Sequence, residues 1–405
     1  MERFGVKFDS SALDFPRREL EHSMGVLKEQ LFEMTGREFN PVSSQQVAKI
    51  VYDEWHLLTE RHDGSKPTDV LTLAAVSHVP LVRAILSYRA QKRTLGFCVG
   101  LPKHVAADGR IHPSINQTGA ETGRASVSRP NLQQIPSRTR DGIDTPVPGH
   151  KVRQAFVASP GNFLYTPDLS QVEMRFAAHL SNDATMIAML TNGDIHDRSI
   201  MGAYQLTQEE LDDIHHNDPS RYKNCRFVAK TVGFGSLYGL TGKGFVNHNP
   251  TLGFTAEEAQ GFIDRFYDTY PGLREYQQRT IQFCRKHGYV QTISGRRRYL
   301  PNINSSNRSL KEAAERAAIN VPIQGGAADY FKRCLILVNR RLRELKLKSR
   351  MILQIHDEIM LEGPFEELDI IAHEVPPIMA TAIPLNVPVK VDMEYGLDWC
   401  NLLEY

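Results

Sequence analysis

A chain of 405 residues can bury several hydrophobic cores, so we expect about two to four compact units. Hydrophobic residues make up 41%, charged residues 23%, and the formal net charge is +1, values typical of a globular protein that identify no partner. Five widely spaced cysteines without a C-x-x-C pair argue against a disulfide framework and a structural zinc site. The N-terminus lacks a signal-peptide segment, and no stretch has the roughly 18 apolar residues of a membrane helix, so we expect a soluble protein in a reducing compartment.

The first hundred residues predict helices. Apolar residues spaced by four and three mark one long helix from Ser10 to Met34, which Gly36 is expected to end. Ser43 or Ser44 is a suitable N-cap for a second helix, and a third is expected from Val79 to Arg93. We interpret the apolar stripes of these helices as core packing.

A polar segment follows, residues 109–139, rich in Gly, Ser, Thr, Asn, Gln and Arg. This composition predicts irregular backbone and turns. Arg124, Arg129 and Arg138 suit contacts with phosphates and a minor groove, although exposed loops have a similar composition. A further exposed loop is expected from Asp141 to Gly149.

A strand is expected from Asn162 to Tyr165, and Pro167 should end it because proline cannot donate to a central ladder. Asp168 would then lie at a strand end, directly before a helix. Ser170 and Glu173 match the S-x-x-E capping box of that helix. Capping alone explains an acid at position 173, and a second role stays open.

The next long helix should begin at Asp218-Pro219, with the acid as N-cap and the proline in the first turn. Two cations and two aromatic residues then recur every four positions and share one face. Cations can hold phosphates and rings can stack on a base, so this face predicts binding of a nucleoside triphosphate. The four residues are Arg226, Lys230, Phe234 and Tyr238.

Towards the C-terminus we expect one or two helices from Thr255 to Gly288 and a hairpin from Tyr289 to Arg298. A long amphipathic helix should follow and break near Pro322 and Gly325–Gly326. Its polar residues again lie four apart on one face and include Arg316, Asn320 and Gln324.

Two short apolar runs, Met351 to Ile355 and Ile359 to Leu361, predict a second hairpin, and residues 387–393 alternate like another strand. The hairpin turn is unusual because it lacks Asn-Gly or Asp-Gly. We interpret it as a candidate cation site, with an exposed acidic turn as the alternative. Its residues are His356, Asp357 and Glu358.

Three segments, DLSQVEMR (168–175), RFVAKTVGFGSLYG (226–239) and HDE (356–358), resemble the polymerase motifs of the A-family DNA polymerases, the group of bacterial DNA polymerase I. TGRASVSRPNLQQIP, GDIHDRS, GYVQTISGRRRYLP and ERAAINVPIQGGAAD match the same family, and the similarity extends over the whole chain. The resemblance implies the family's polymerase domain alone, an α+β right-hand fold. It would have a thumb (1–95, with the start of the palm), a palm (96–190 and 301–405) and fingers (191–300).

The resemblance further implies template-directed extension of a primer 3′-hydroxyl with dNTPs, with release of pyrophosphate. Two divalent ions, Mg²⁺ with Mn²⁺ as a substitute, would bind Asp168, Asp357 and the backbone carbonyl of Leu169. Glu358 would assist the ions, and Lys230 would donate a proton to pyrophosphate. Leu169 departs from the tyrosine usual at its position.

The resemblance also implies which residues would contact the substrates. Arg226, Lys230 and His196 would bind the triphosphate, Phe234 would lie near the sugar and Tyr238 near the templating base. Glu173 would act as a gate against ribonucleotides. The residues expected to contact primer-template DNA are Arg124, Asn131, Gln133, Arg316, Asn320, Gln324 and His356.

The chain begins where the family's polymerase region begins, so we expect neither a proofreading exonuclease nor a 5′-nuclease domain. Those activities would come from a separate exonuclease or a larger replication protein. We expect an intracellular protein of bacterial or phage-like origin, with an organellar origin open, and no membrane partner. Two alternatives stay open: a single-subunit RNA polymerase, and a nucleic-acid-binding accessory protein with an inactive palm.

Overall fold

The computed structural model describes residues 1–60, 64–137, 145–249 and 252–405. Arg138 and the first residues of the loop expected at 141–149 lie outside these ranges. The strands are β1 (Val6–Lys7), β2 (Arg110–Ile111), β3 (Ser114–Asn116), β4 (Ser126–Ser128), β5 (Asn162–Ser170), β6 (Tyr289–Gln291), β7 (Arg297–Tyr299), β8 (Arg350–Ile355), β9 (Glu358–Pro364), β10 (Lys390–Gly396) and β11 (Leu403–Glu404).

Helices make up most of the remaining structure. In the first half they are α1 (Asp14–Thr35), α2 (Ser44–Ala48), α3 (Val70–Ala74), α4 (Pro80–Gly100), α5 (Val172–Ser181), α6 (Ala184–Asn192) and α7 (Ile195–Tyr204). In the second half they are α8 (Gln208–Asn217), α9 (Pro219–Leu237), α10 (Gly242–His248), α11 (Ala256–Thr269), α12 (Pro271–His287), α13 (Arg308–Glu344) and α14 (Leu368–Ala380).

Within the described residues, the largest sheet has five strands in the order β11-β10-β5-β9-β8, and all neighbours are antiparallel. Successive side chains of a strand point to opposite faces of a sheet, and both faces of this sheet are buried. Leu164 and Met360 pack with Trp399 and residues of the N-terminus on one face. Tyr165 and Ile359 pack with α5, α13 and α14 on the other. The α+β prediction is confirmed.

The N-terminal helices form where the sequence predicts them. Gly36 ends α1 in the left-handed conformation, with φ of 68°, and donates to the Phe32 carbonyl. Ser43 caps α2 by accepting from the Gln46 N–H, and a π-helical segment continues to Glu54. Helix α4 begins as expected and continues to Gly100. A separate core of α1, α2, α3 and α4 residues supports this region.

The prediction that Asp168 ends a strand is wrong. Strand β5 continues through Pro167 to Ser170, and Asp168 lies opposite Asp392 on one side and Glu358 on the other. Pairing between β5 and β9 occurs at Tyr165 and resumes at Asp168. The missing N–H of Pro167 therefore falls where the ladder to β9 is open, while pairing with β10 is continuous.

The predicted capping box of α5 is also wrong. Ser170 belongs to β5, and the N-cap is Gln171, which adopts a left-handed conformation with φ of 52° and makes no side-chain capping bond. The strand thus turns directly into the helix. Glu173 is left to make a tertiary contact instead of a local one.

Helix α13 does not break at Pro322 or at the glycine pair; it is continuous over 37 residues. Burial of its inner face in the main core offsets the local cost of the proline. The glycines permit close approach, because a Cβ on Gly326 would lie 2.7 Å from the Phe176 ring of α5. A Cβ on Gly325 would lie 2.7 Å from Thr292.

The remaining predicted elements are present, but the strand predicted over 387–393 is shifted to Lys390–Gly396, and the segment predicted as irregular contains the short strands β2, β3 and β4. Helices α11 and α12 occupy the segment from Thr255 to Gly288, and β6 and β7 form the first predicted hairpin. The second hairpin and the following strand are β8, β9 and β10. In the part of the chain that the structure describes, no helix combines the length and apolar character needed to cross a membrane.

Candidate active site

Two carboxylates lie where the turn between β8 and β9 contacts the central strand β5. Asp168 lies on β5, and Asp357 lies in the two-residue turn between β8 and β9, where His356 adopts a left-handed φ of 53°. The backbone N–H of Leu169 donates to the Asp357 carbonyl over 3.2 Å, which joins the turn to the strand. The Leu169 side chain is buried in the main core.

Both carboxylates occupy poorly solvated positions, and the charge of Asp357 acts on Asp168. Burial, followed by the neighbouring Asp357 carboxylate, raises the pKa of Asp168 to about 6. Burial also raises the pKa of Asp357, although the positive charge of Arg124 opposes that shift. A cation at this place would relieve both effects.

Glu358 points to the same sheet face as Asp168, since the two residues are direct cross-strand partners. The Trp399 indole N–H donates to its carboxylate over 3.3 Å, and Arg153 lies over the Trp399 ring. Burial raises the pKa of Glu358 to about 7 against the opposing charge of Arg153. The Glu358 carboxylate is therefore held by Trp399, which in turn contacts Arg153.

Arg124 links the polar segment to the two acids. Its Nη2 donates to the Glu173 Oε1 over 2.6 Å and lies 3.3 Å from the Asp357 Oδ2. A cavity of about 290 Å³ adjoins this contact and is lined by Arg124, Gln133, His356 and Asp357 among others. The structure thus brings four of the predicted site residues to one cavity.

The other polar residues of this segment have local contacts. Asn131 caps a short 3₁₀ helix by accepting from the Gln133 N–H, and the Gln133 side-chain amide donates to the Ala125 carbonyl over 3.3 Å. Burial lowers the pKa of His356, as does the charge of Arg124, so its imidazole is neutral near pH 7. Gln133 and His356 line the cavity, whereas Asn131 does not.

The face of α9 carries the predicted triphosphate contacts. Asp218 caps the helix as expected, and Arg226, Lys230 and Phe234 lie along it, with Phe234 37% exposed. Tyr238 follows as the C-cap residue, one position past the last helical residue. Arg226 already binds two carboxylates, those of Asp194 and Asp197.

His196 faces this helix from the first turn of α7. Its side chain is only 6% exposed, and its ring lies 6.4 Å from the Phe234 ring. Burial and the nearby charge of Lys230 lower the pKa of His196 to about 4. The imidazole is therefore neutral at physiological pH and offers one donor and one acceptor.

The polar stripe of α13 approaches the end of α9. A Cβ on Gly239, the residue after Tyr238, would lie 3.3 Å from the Arg316 side chain. Asn320 and Gln324 are half-buried, and Arg316 is exposed. The Tyr238 hydroxyl and the Asn320 Oδ1 are buried and have no hydrogen-bond partner among the described residues. Such atoms can accept or donate hydrogen bonds to a bound molecule or to ordered water.

Comparison with known proteins agrees with the motifs. The family model described as DNA polymerase family A matches residues 11–401. The chain belongs to DNA polymerase family A. DNA polymerase I of Geobacillus stearothermophilus is 37% identical over 98% of the chain, and thermostable DNA polymerase I of Thermus thermophilus is 37% identical over all of it.

The right-hand fold predicted for the family is confirmed by a solved structure. The polymerase domain of Pol1 from M. smegmatis, in complex with DNA primer-template and dNTP, has a TM-score of 0.89 and 34% sequence identity. The match covers 98% of this chain and 68% of that chain. The chain spans 44% of the Geobacillus polymerase and 47% of the Thermus polymerase, less than half of either.

Sequence reasoning missed several residues of the candidate site. Asp194 and Asp197 bind Arg226, and Trp399 and Arg153 hold Glu358. In sequence, Asp194 and Asp197 look like an N-cap and a first-turn acid of α7 and indicate nothing further. Trp399 lies 41 residues from Glu358, so no local pattern could reveal their contact.

Proposed function

We propose that this chain extends a DNA primer with dNTPs under the direction of a template, releasing pyrophosphate, with two Mg²⁺ ions as cofactors and Mn²⁺ as a possible substitute. The observation that carries the proposal is the placement of two carboxylates at one point of the sheet: Asp168 lies on β5, and a backbone hydrogen bond from Leu169 joins β5 to the turn that holds Asp357. In this proposal the thumb comprises 1–95, the palm 96–190 and 301–405, and the fingers 191–300.

The donor set fits hard divalent cations. Asp168, Asp357 and the Leu169 carbonyl would hold the ions, which when bound supply charge neutralisation at phosphate and a lower pKa for the primer hydroxyl. Among the described residues, no group of three or more His, Cys, Asp or Glu side chains could hold a metal ion. Two carboxylates are enough for Mg²⁺, because it usually keeps water and substrate phosphates as further ligands.

The fingers residues bind and orient the triphosphate. Arg226 and Lys230 offer positive charge to the phosphates, and the neutral His196 adds a hydrogen bond. Lys230 holds the proton that pyrophosphate takes as it leaves. Phe234 packs near the sugar, and Glu173 blocks the 2′ position, where its contact with Arg124 keeps the carboxylate in place.

The DNA contacts lie on the two surfaces that flank the acids. Tyr238 lies near the templating base, and the unsatisfied polar atoms of Tyr238 and Asn320 would pair with nucleic acid. Such contacts recognise shape and backbone and carry little sequence information. The residues proposed to contact primer or template are Arg124, Asn131, Gln133, Arg316, Asn320, Gln324 and His356.

Primer extension with Mg²⁺ tests the proposal, with dNTPs and rNTPs supplied in parallel reactions. We expect dNTP incorporation by the wild-type chain, and a loss of at least about 10³-fold in Asp168→Asn and Asp357→Asn. The matched control is Asp392→Asn, which removes a half-exposed acid opposite Asp168 that pairs with Lys390. Unchanged single-turnover extension in both site variants would contradict the two-metal proposal, and a preference for rNTPs would favour an RNA polymerase.

A further inference from the structure

The guanidinium of Arg226 is bound by two acids on both of its terminal nitrogens. Nη2 lies 2.8 Å from the Asp194 Oδ2, and Nη1 lies 2.6 Å from the Asp197 Oδ1. Nη1 also lies 3.1 Å from the Tyr222 hydroxyl. The Arg226 side chain is 26% exposed, so solvent screens these contacts only in part. A phosphate that binds Arg226 therefore meets a guanidinium whose charge is already offset by two carboxylates.

The two acids have different roles in the fold. Asp194 is the N-cap of α7, and its Oδ1 accepts from the His196 N–H over 2.7 Å and from the Asp197 N–H. That carboxylate would stay in place without Arg226. Asp197 is the third residue of the helix, and its Oδ1 accepts from Arg226 Nη1 and from the Tyr222 hydroxyl, 2.8 Å away. Tyr222 is itself held by stacking on His215, with ring centroids 4.2 Å apart.

The charges around Arg226 determine how strongly this residue attracts a polyanion. Asp194 and Asp197 both bind Arg226 and so offset the positive charge that it offers to a polyanion. When a triphosphate binds Arg226, the attraction between Arg226 and the two acids is weakened. The net gain in binding free energy is therefore smaller than the attraction between Arg226 and the phosphates alone. Replacing one acid by a neutral isostere makes the local charge more positive by one unit.

We propose that Asp197 is an affinity-setting residue, which competes with the phosphates of the incoming nucleotide for Arg226 and thereby raises the KM for dNTP. This inference rests on the proposed function and assigns a further residue to the same site. Asp197 is not catalytic here, because it acts through Arg226. It acts on substrate binding, and the reacting atoms lie elsewhere, at Asp168 and Asp357.

The informative variant is Asp197→Asn, since asparagine keeps the size of the side chain and an acceptor for the Tyr222 hydroxyl. We expect the KM for dNTP to fall about three- to tenfold, in the range of a partly exposed charge-assisted contact, with kcat changed less than about twofold. Asp197→Glu, which retains the charge, should keep a KM near that of the wild type. A purely structural role would have the opposite sign, because damage to α7 would raise the KM.

The matched control is Asp213→Asn on α8, an exposed acid whose carboxylate accepts from Asn217. It makes the same charge change in the same region, and we expect an unchanged KM. An equal fall in KM in this control would overturn the inference, because the effect would then come from general charge. A KM that is unchanged or raised in folded Asp197→Asn, with folding checked by circular dichroism, would overturn it as well.

A binding measurement separates this inference from the proposed function. Inorganic tripolyphosphate is titrated by calorimetry against the wild type and Asp197→Asn, without DNA or dNTP. We expect tighter binding in the variant by a similar factor, and equal binding would overturn the competition. If the wild type failed to extend a primer, the proposed function would fall, while this titration would still decide whether Asp197 competes for Arg226.

Discussion

The guanidinium of Arg124 donates to the carboxylate of Glu173, with Nη2 and Oε1 2.6 Å apart. The two residues lie 49 positions apart, on the polar segment and on the first turn of α5. The contact replaces the local capping bond that the sequence predicts for Glu173. It holds the bulky carboxylate of Glu173 beside Asp357. In the proposed function, the 2′ position of the incoming sugar would lie against this carboxylate.

Glu173→Ala should relax selection against ribonucleotides. We expect the ratio of rNTP to dNTP incorporation to rise about 10- to 100-fold, since the space taken by the carboxylate becomes free for a 2′-hydroxyl. The ratio is measured from kcat/KM for matched rNTP and dNTP on one primed template.

Glu173→Gln is the matched control for this gate, because it keeps the bulk and removes the charge. We expect it to retain most of the selection. A ratio that stays at the wild-type value in Glu173→Ala would rule out a steric gate. Since Glu173 does not cap α5, neither variant should lose stability through helix fraying.

Asp168 should make the metal-free protein less stable as pH rises. Its pKa is raised from 3.8 to about 6 in the folded chain, so between these values the folded state keeps a proton that the unfolded state has released. Stability therefore falls as pH rises through this window, by at most about 3 kcal/mol for this group. Asp168→Asn lacks this penalty.

Thermal unfolding in the presence of a chelator checks this linkage. We expect Asp168→Asn to unfold at a higher temperature than the wild type at pH 7.5, with the difference shrinking towards pH 4. Added Mg²⁺ should then raise the unfolding temperature of the wild type more than that of the variant. A difference between the two proteins that does not depend on pH would contradict the raised pKa.

Glu358→Gln should impair extension far less than Asp357→Asn. Glutamine keeps an oxygen that can accept from the Trp399 indole, and the carboxylate it replaces already has a pKa raised to about 7 by burial. We expect kcat to fall by less than about tenfold, against at least about 10³-fold for Asp357→Asn. Single-turnover extension at pH 7.5 distinguishes the two, and equal losses would make Glu358 an essential ligand.

Gly326→Ala should destabilise the packing of α13 on α5. The new Cβ would meet the Phe176 ring at 2.7 Å, inside a buried contact, and overpacking of this kind costs about 1 to 3 kcal/mol. The matched control is Gly96→Ala on the exposed side of α4, where a Cβ meets nothing within 4 Å. That variant should gain about 0.5 to 1 kcal/mol. Urea unfolding of both measures the contrast, and equal stabilities would contradict it.

Much of this protein could be predicted from its sequence, because the deciding interactions are local. Gly36 ends α1 and Ser43 and Asp218 cap their helices through bonds spanning a few residues, so residue type and spacing suffice to predict them. The same holds for the stripe of Arg226, Lys230 and Phe234, which is a property of one helix. The family also followed from the sequence, because several motifs occur in a fixed order.

Only the tertiary structure decided where local preferences are overridden. Pro167 continues a central strand because its missing N–H falls where the ladder to β9 is open. Helix α13 continues through Pro322 because the residues on either side of the proline are buried. Glu173 accepts a hydrogen bond from Arg124, and Arg226 forms ion pairs with Asp194 and Asp197. These contacts join residues 29 to 49 positions apart, and their charges depend on burial, so no local pattern in the sequence contains them.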